Sequence, residues 1–287
     1  MVSNALRIPP QGEFSPVLRW TNVVFFGVFH GVALLAPFFF SWSAVGVALF
    51  LHWLLGGIGI CLGYHRLLSH RSFQVPKGLE YMIALLGALA LQGGPIFWVG
   101  NHRRHHAHTE DPVKDPHSSE RGFWWSHMGW ILSPDKASFD EAHYGKFAPD
   151  LKKQPFYRYL NHCFLLLQVP LAFVLYAWGG WSFVIYGIFV RAVLLWHTTW
   201  FVNSATHQWG YRTFAAKDHS RNLWWVSLLT YGEGWHNNHH AHPNAAQSGC
   251  RWWELDPTWW TIQVLQKVGL ATKVKKIPVA QESSQIH

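Results

Sequence analysis

Four long apolar runs interrupt an otherwise polar chain. The first extends from Trp20 to about Phe40 and the second from Ala44 to Leu62, with only Ser41-Trp42-Ser43 between them. The third and fourth, about Phe164–Trp178 and Trp181–Val202, are separated by Gly179-Gly180. Each is long enough at 1.5 Å per residue to approach the width of a bilayer core, so the pattern predicts two helical hairpins. The first run is too long for the apolar region of a secretory signal, and no small-residue cleavage site follows it. Met82–Val99 is also apolar, but Gln92-Gly93-Gly94-Pro95 breaks it. Its continuous part, Met82–Leu91, is too short to span and reads as a buried core helix.

The expected fold is therefore an all-α integral membrane protein, with four transmembrane helices at 20–40, 44–62, 164–178 and 181–202 and a cytosolic helical cap from 63–160 and 203–272. Residues 1–18 form a polar arm, 19–272 one domain, and 273–287 a disordered tail. Were 82–99 to span as well, the histidines before and after it would face opposite compartments. Charge argues for four spans. The turns at 41–43 and 179–180 hold no Lys or Arg, whereas 63–160 and the stretch after 203 are rich in both. The positive-inside rule then puts both termini and every histidine cluster on the cytoplasmic side.

Composition supports a bilayer setting. Aromatics make up 17% of the 287 residues, charged residues 13%, and there are 19 Trp, the side chain that anchors membrane interfaces. The net charge of +8 fits an anionic cytoplasmic leaflet, and no nucleic-acid motif is present. Three scattered cysteines make neither a disulfide framework nor an iron–sulfur motif. Arg191, midway along the fourth run, costs about 2.5–3.5 kcal/mol to insert and has no carboxylate within the runs, so it is expected to bond backbone carbonyls or hydroxyls inside the bundle.

The chemistry lies in 20 histidines. Eight form three clusters: His65 and His70, five apart; His102, His105 and His106; His236, His239 and His240. A shuffled chain of this composition would hold roughly 0.1 copies of H-x-x-H-H; this one holds two. Spacings of three and four put imidazoles on one helical face. A spacing of five turns about 140° on an α-helix, so His65 and His70 suit opposite flanks of a site or a helix that ends between them. Eight imidazoles exceed one tetrahedral zinc site and imply two metals, with iron performing O2 chemistry the best match to an all-nitrogen set. His30 and His52 are expected to hydrogen-bond across helices. His108, His117, His127, His143, His162, His197, His219, His242 and His287 read as ordinary polar groups.

On these clusters, and on Gly63–Arg71, Trp98–His106, Arg121–Trp130, Asn203–His207 and Tyr231–His240, the sequence resembles the membrane-bound stearoyl-type (Δ9) acyl desaturases, most closely their bacterial and cyanobacterial acyl-lipid branch. The resemblance spans roughly residues 20–272. It implies a ninth ligand, His207, and a metal-bound water held by Asn203. It also implies a bent acyl tunnel, with Trp98 and Thr199 shaping the bend and Trp53 and Gly57 closing the far end, where bulky Trp53 limits the tail to about C16–C18. Animal acyl-CoA members carry an Arg-Asp pair where this chain has Gly100-Asn101, which favours an acyl chain on a glycerolipid over CoA and leaves an acyl carrier protein as the alternative. The implied reaction removes two hydrogens from adjacent methylenes near C9 and C10, with O2 reduced to water by two external electrons. No haem-attachment motif or Rossmann glycine fingerprint is present, so a separate donor is required, a ferredoxin by the branch resembled. The alternatives are a lipid hydroxylase on the same histidine scaffold and a metal-handling membrane protein.

Overall fold

The computed structural model describes residues 17–278; most of the N-terminal arm and the last nine residues of the expected tail lie outside that range. The described residues are helical, with no β-strand and only isolated bridges such as Gln74 to Thr272. The first helix, α1 (Trp20–Ala33), passes into a 3-10 turn at Ala36–Phe39. Ser41 then caps α2 (Trp42–Ser69), its Oγ accepting from the Ala44 N–H at 3.2 Å. From His52 onward α2 takes the wider π form, with i→i+5 hydrogen bonds.

Two stretches are long and apolar enough to cross a membrane: α2, of 28 residues, and Pro155–His207, of 53. At 1.5 Å per residue the second would extend roughly 80 Å if straight, over twice a bilayer core. It reverses at the expected glycine pair. Gly180 has φ 62° and ψ −155°, a conformation essentially confined to glycine. The stretch thus comprises α5 (Pro155–Cys163), α6 (168–178) and α7 (181–204). The α6–α7 arms pack on α1 and α2 through Val47, Leu51, Leu175, Val184, Ile188 and Phe29. Outward-facing residues on these helices, among them Phe38, Trp42, Leu49, Phe173, Trp178 and Trp181, are large, apolar and exposed.

The remaining helices gather at one end of α2. Helix α3 (Lys77–Leu89) lies against it through a glycine contact: a Cβ on Gly59 would come within 2.6 Å of the Gly87 backbone, and one on Gly87 would strike Tyr64. At 13 residues α3 is too short to span, as its interrupted pattern predicts, and it buries Ile83, Ala84, Gly87 and Ala88 while exposing Met82. Gly59→Leu is expected to separate α2 from α3, seen as loss of monodisperse protein on size exclusion in detergent.

Arg191 is fully buried. Its Nε donates to Gly187 O at 3.0 Å, and its Nη1 to Leu89 O at 3.3 Å and Ala90 O at 3.4 Å. The cation therefore sits on the carbonyl end of α3, where the helix dipole is negative, as the absence of a carboxylate in the runs required. After the break at 90–94 comes α4 (Pro95–His108). Short turns fill 119–152, followed after α7 by α8 (Trp224–Leu229), α9 (His236–Ala241) and α10 (Pro257–Lys267).

The start of the polar tail is not loose. The Lys275 N–H donates to Ser72 O, the Ala246 N–H donates to Lys275 O, and Ile277 is buried. Val274 and Ile277, two apolar residues in a polar run, supply the packing that a disordered tail from residue 273 overlooked.

Candidate metal centre

The basic residues inside the histidine clusters dock the helices that carry them. Arg103, beside His102 on α4, donates to Leu68 O (2.6 Å) and Ser69 O (2.9 Å) at the end of α2 and pairs with both Asp150 oxygens. Arg104 donates to Asp135 Oδ2 at 2.9 Å. Helix α9 is only six residues long and is pinned by its two asparagines. Asn237 Oδ1 accepts the Thr213 and Phe214 N–H groups, and Asn238 Nδ2 donates to Glu254 Oε2 at 2.8 Å. An isolated helix of this length would not persist in water.

The π turn resolves the spacing of five. The His70 N–H donates to His65 O at 3.1 Å, one turn away, and the two rings lie 4.8 Å apart. They are on one side of the site, not on opposite flanks. The other expectation, a helix ending between them, is met, since α2 stops at Ser69. An α-helical rotation does not apply where hydrogen bonds run i→i+5.

All nine imidazoles converge into two adjoining groups. His65, His70, His102, His106 and His239 form one; His105, His207, His236 and His240 form the other, with ligand atoms within 4.8 Å of one another in each. Nε2 separations are 2.8 Å for His70–His102, 3.0 Å for His106–His239 and 3.0 Å for His207–His236. The groups meet where the His106 and His240 rings lie 4.7 Å apart.

Four carboxylates stand behind the rings. Nδ1 of His65 lies 2.8 Å from Glu233, that of His105 2.9 Å from Asp115, that of His207 2.8 Å from Glu110, and that of His240 2.7 Å from Asp218. A carboxylate accepting the Nδ1 proton leaves Nε2 as a bare lone pair aimed into the site, the arrangement of a carboxylate–histidine–metal unit. Burial favours a protonated carboxyl in each case, but His207 and Ser119 hold Glu110 at about 2, and His240 and Ser220 hold Asp218 well below the usual carboxylate range. Burial and neighbouring rings drive His102, His106, His236 and His239 well below 6.5, so these rings are neutral at pH 7. Glu233 is further tied to Arg66 at 3.0 Å, and Arg66 to Asp256, which caps α10. Nine imidazoles, four of them oriented by carboxylates, fit a pair of metal ions. Asp218→Ala is expected to weaken metal binding at the second group about 10–100-fold, read by titrating the apoprotein with metal.

These carboxylates escaped sequence reasoning. With only 15 acidic residues in the chain, their recurrence near the histidine clusters was the available signal. His117 also comes closer than an ordinary polar group: its ring is 4.3 Å from His105, and its Nδ1 is 3.8 Å from Asp115, the carboxylate that also holds His105. His30 bonds across helices to His197, and His52 to Thr198 on α7 as well as to Tyr231 in the turn after α8. His197 in turn meets His127 at 3.0 Å, making a three-ring chain away from the metal groups.

Three cavities border the centre. One of about 870 Å³ lies beside His106, Asp218 and His240. Another, about 560 Å³, is lined by Arg19, Asn22, Asn161 and His162 and by His102 and Asn203. The narrowest, about 60 Å³, lies beside His65, His105 and His236 between α2 and α7, with a mostly apolar lining. Trp98, Thr199, His102 and Asn203 line both the 560 Å³ and the 60 Å³ cavity. Gln92 joins Trp98 and Thr199: its Nε2 donates to Thr199 Oγ1 at 2.8 Å and its Oε1 accepts from Trp98 Nε1 at 3.2 Å. Trp53 lines none of these cavities; its ring is 43% exposed, packs on Phe50, and lies outside Gly57. Gly100 and Asn101 are buried under 138–144. A Cβ on Gly100 would come within 2.4 Å of Tyr144 O, and Asn101 donates to Ser138 O.

Long apolar helices, two imidazole groups backed by carboxylates at their ends and cavities beside them define a helical scaffold able to bind metal. The fatty acid desaturase family matches residues 40–272. An sn-2 palmitoyl-lipid 9-desaturase from Nostoc sp. (strain 36) is 67% identical over 97% of this chain and 98% of its own length. An sn-1 stearoyl-lipid 9-desaturase from Anabaena variabilis is 54% identical over 91% of this chain and 95% of its own. One with the same name from Synechocystis sp. (strain ATCC 27184 / PCC 6803 / Kazusa) is 53% identical over 90% and 81%. The chain belongs to the fatty acid desaturase family.

Proposed function

We propose that this protein is an O2-dependent acyl-lipid Δ9 desaturase that places a cis double bond in a C16–C18 chain esterified to a glycerolipid. The observation that supports the reading is that rings of both imidazole groups, His65, His102, His105 and His236, line the narrow apolar cavity, with His102 lining the 560 Å³ one as well. His65, His70, His102, His106 and His239 would hold one iron, and His105, His207, His236 and His240 the other, with Asn203 holding a water on the second. The pair supplies the oxidising power, with O2, that an unactivated C–H bond requires. The protein's own task is positioning. Trp98, Gln92 and Thr199 fix the bend, so one pair of methylenes faces the metals. The likeness to the Nostoc protein favours a palmitoyl chain at sn-2. The burial of positions 100 and 101 favours a lipid-bound chain over a CoA thioester.

The exposed apolar belt and the two long helices support the four-span arrangement, with the metal site and both termini cytoplasmic. Two electrons per turnover come from a separate carrier, a ferredoxin. Expression in a host lacking its own desaturase tests the reading: cis-Δ9 monoenes in glycerolipids are expected. Hydroxylated chains in their place would assign the scaffold to a hydroxylase.

A further inference from the structure

The carboxylates behind the two imidazole groups are unevenly shared, and only one of them is answered by an arginine. We propose that Arg66 divides the centre into unequal halves: by neutralising the carboxylate behind the first group, it leaves that group the better host for ferrous iron and the second the better host for ferric. The inference rests on the reading of the two groups as an iron pair.

In the second group three of the four rings are backed by a carboxylate. Asp115 stands 2.9 Å from His105 Nδ1, Glu110 2.8 Å from His207 Nδ1, and Asp218 2.7 Å from His240 Nδ1. Among the described residues, no Lys or Arg forms an ion pair with these three. Their other hydrogen bonds come from neutral donors. Glu110 accepts from Ser119 Oγ and the His219 N–H, Asp115 from the Glu110 and His117 N–H groups, and Asp218 from the Ser220 N–H. The His117 ring, 3.8 Å from Asp115, is out of hydrogen-bond range.

The first group has five rings, and His65 alone among them lies against a carboxylate, Glu233 at 2.8 Å. Here the charge is cancelled. Arg66 Nε donates to the other Glu233 oxygen at 3.0 Å, and both residues are buried. The rest of the guanidinium is held in place. Nη1 donates to Ala246 O at 2.8 Å and to Asp256 Oδ2 at 3.0 Å, and Nη2 lies 2.9 Å from Asp256 Oδ1. Asp256 is answered from its far side by the Ser248, Gly249 and Trp259 N–H groups, the last at the positive end of α10. Arg66 follows His65 directly in sequence, so one turn of α2 carries both the ligand and the cation that tunes it.

A ferric ion carries one more positive charge than a ferrous ion. Negative charge behind a ligating ring makes the ring more basic and favours the higher charge, and burial leaves that effect weakly screened. Three uncompensated carboxylates therefore act on the second group, against one compensated carboxylate on the first.

The test is reductive titration of the full-length protein loaded with iron-57, with dithionite as the reductant and the ferrous and ferric fractions read by Mössbauer spectroscopy. Adjoining ions repel, which alone separates the two potentials, so the variants decide. Arg66→Gln leaves Glu233 uncompensated and is expected to lower the ferrous:ferric ratio of the more easily reduced iron at least about tenfold at a fixed potential, a shift of about 59 mV. Arg66→Lys, which keeps the charge, restores the wild-type value. Asp218→Asn removes charge behind the second group and is expected to raise the lower potential by a similar amount; it reads the proposal by itself should Arg66→Gln not accumulate. Loosened packing alone would not move the two potentials in opposite directions. The proposal is overturned if Arg66→Gln acts on the lower potential, or if neither variant moves either one. Fewer than two irons per chain in the wild type removes the two-iron reading, and this inference with it.

Discussion

His106→Ala is expected to abolish the monounsaturated product. His106 stands where the two imidazole groups meet. Its Nε2 is 3.0 Å from that of His239, and its ring is 4.7 Å from those of His70, His102 and His240. Alanine leaves four nitrogens in the first group and opens the wall it shares with the second. Losing a supporting carboxylate typically costs 10–100-fold in affinity or activity; losing a ligand between two metals costs more, on the order of a thousandfold in monoene yield. Lipid profiles of wild-type and variant cells at matched protein levels check it, and equal monoene from both would refute the ligand assignment. The fold is expected to persist, because Arg103 on the same helix still anchors α4 to α2 and Asp150.

The second large effect concerns where the bond is placed. Gln92 is held from both sides by Trp98 and Thr199, two residues that line both the 560 Å³ and the narrow cavity. The turn that presents it is itself fixed, because Arg191 binds the carbonyls of Leu89 and Ala90 and Trp196 Nε1 donates to Leu91 O at 2.9 Å. Gln92→Ala frees both partners and lets the chain slide. A displacement of about 1 Å at a reacting centre costs roughly 100-fold in rate, so activity is expected to fall by that order and the residual product to contain positional isomers beside Δ9. A variant that makes only the Δ9 isomer at wild-type rate would show that the bend is set elsewhere.

These two predictions draw on different layers of what the sequence discloses. The histidine clusters were legible because H-x-x-H-H is rare by chance and helical spacing brings its rings together. The hairpin at Gly179-Gly180 and the short α3 were legible because glycine pairs and interrupted apolar runs have direct backbone consequences. Asn203 and His207 came from family resemblance alone. The approach of His65 to His70 was hidden because a π turn leaves no periodicity in eighteen residues that are apolar nearly throughout. Glu110, Asp115, Asp218 and Glu233 were hidden for another reason. Three of the four pairings join a carboxylate to a ring 22 to 168 residues away along the chain, so only tertiary packing unites them. Tyr231 lies inside a legible motif, but its contact with His52 crosses 179 residues.

The central claim is that two redox-active irons sit in the paired imidazole groups. Mössbauer spectroscopy of protein loaded with iron-57, with activity measured on the same samples, tests it most directly. Two iron sites per chain in nitrogen-rich coordination, with desaturation rising as the second fills, is the predicted result. Full activity at one iron per chain, or activity indifferent to iron content, would contradict it.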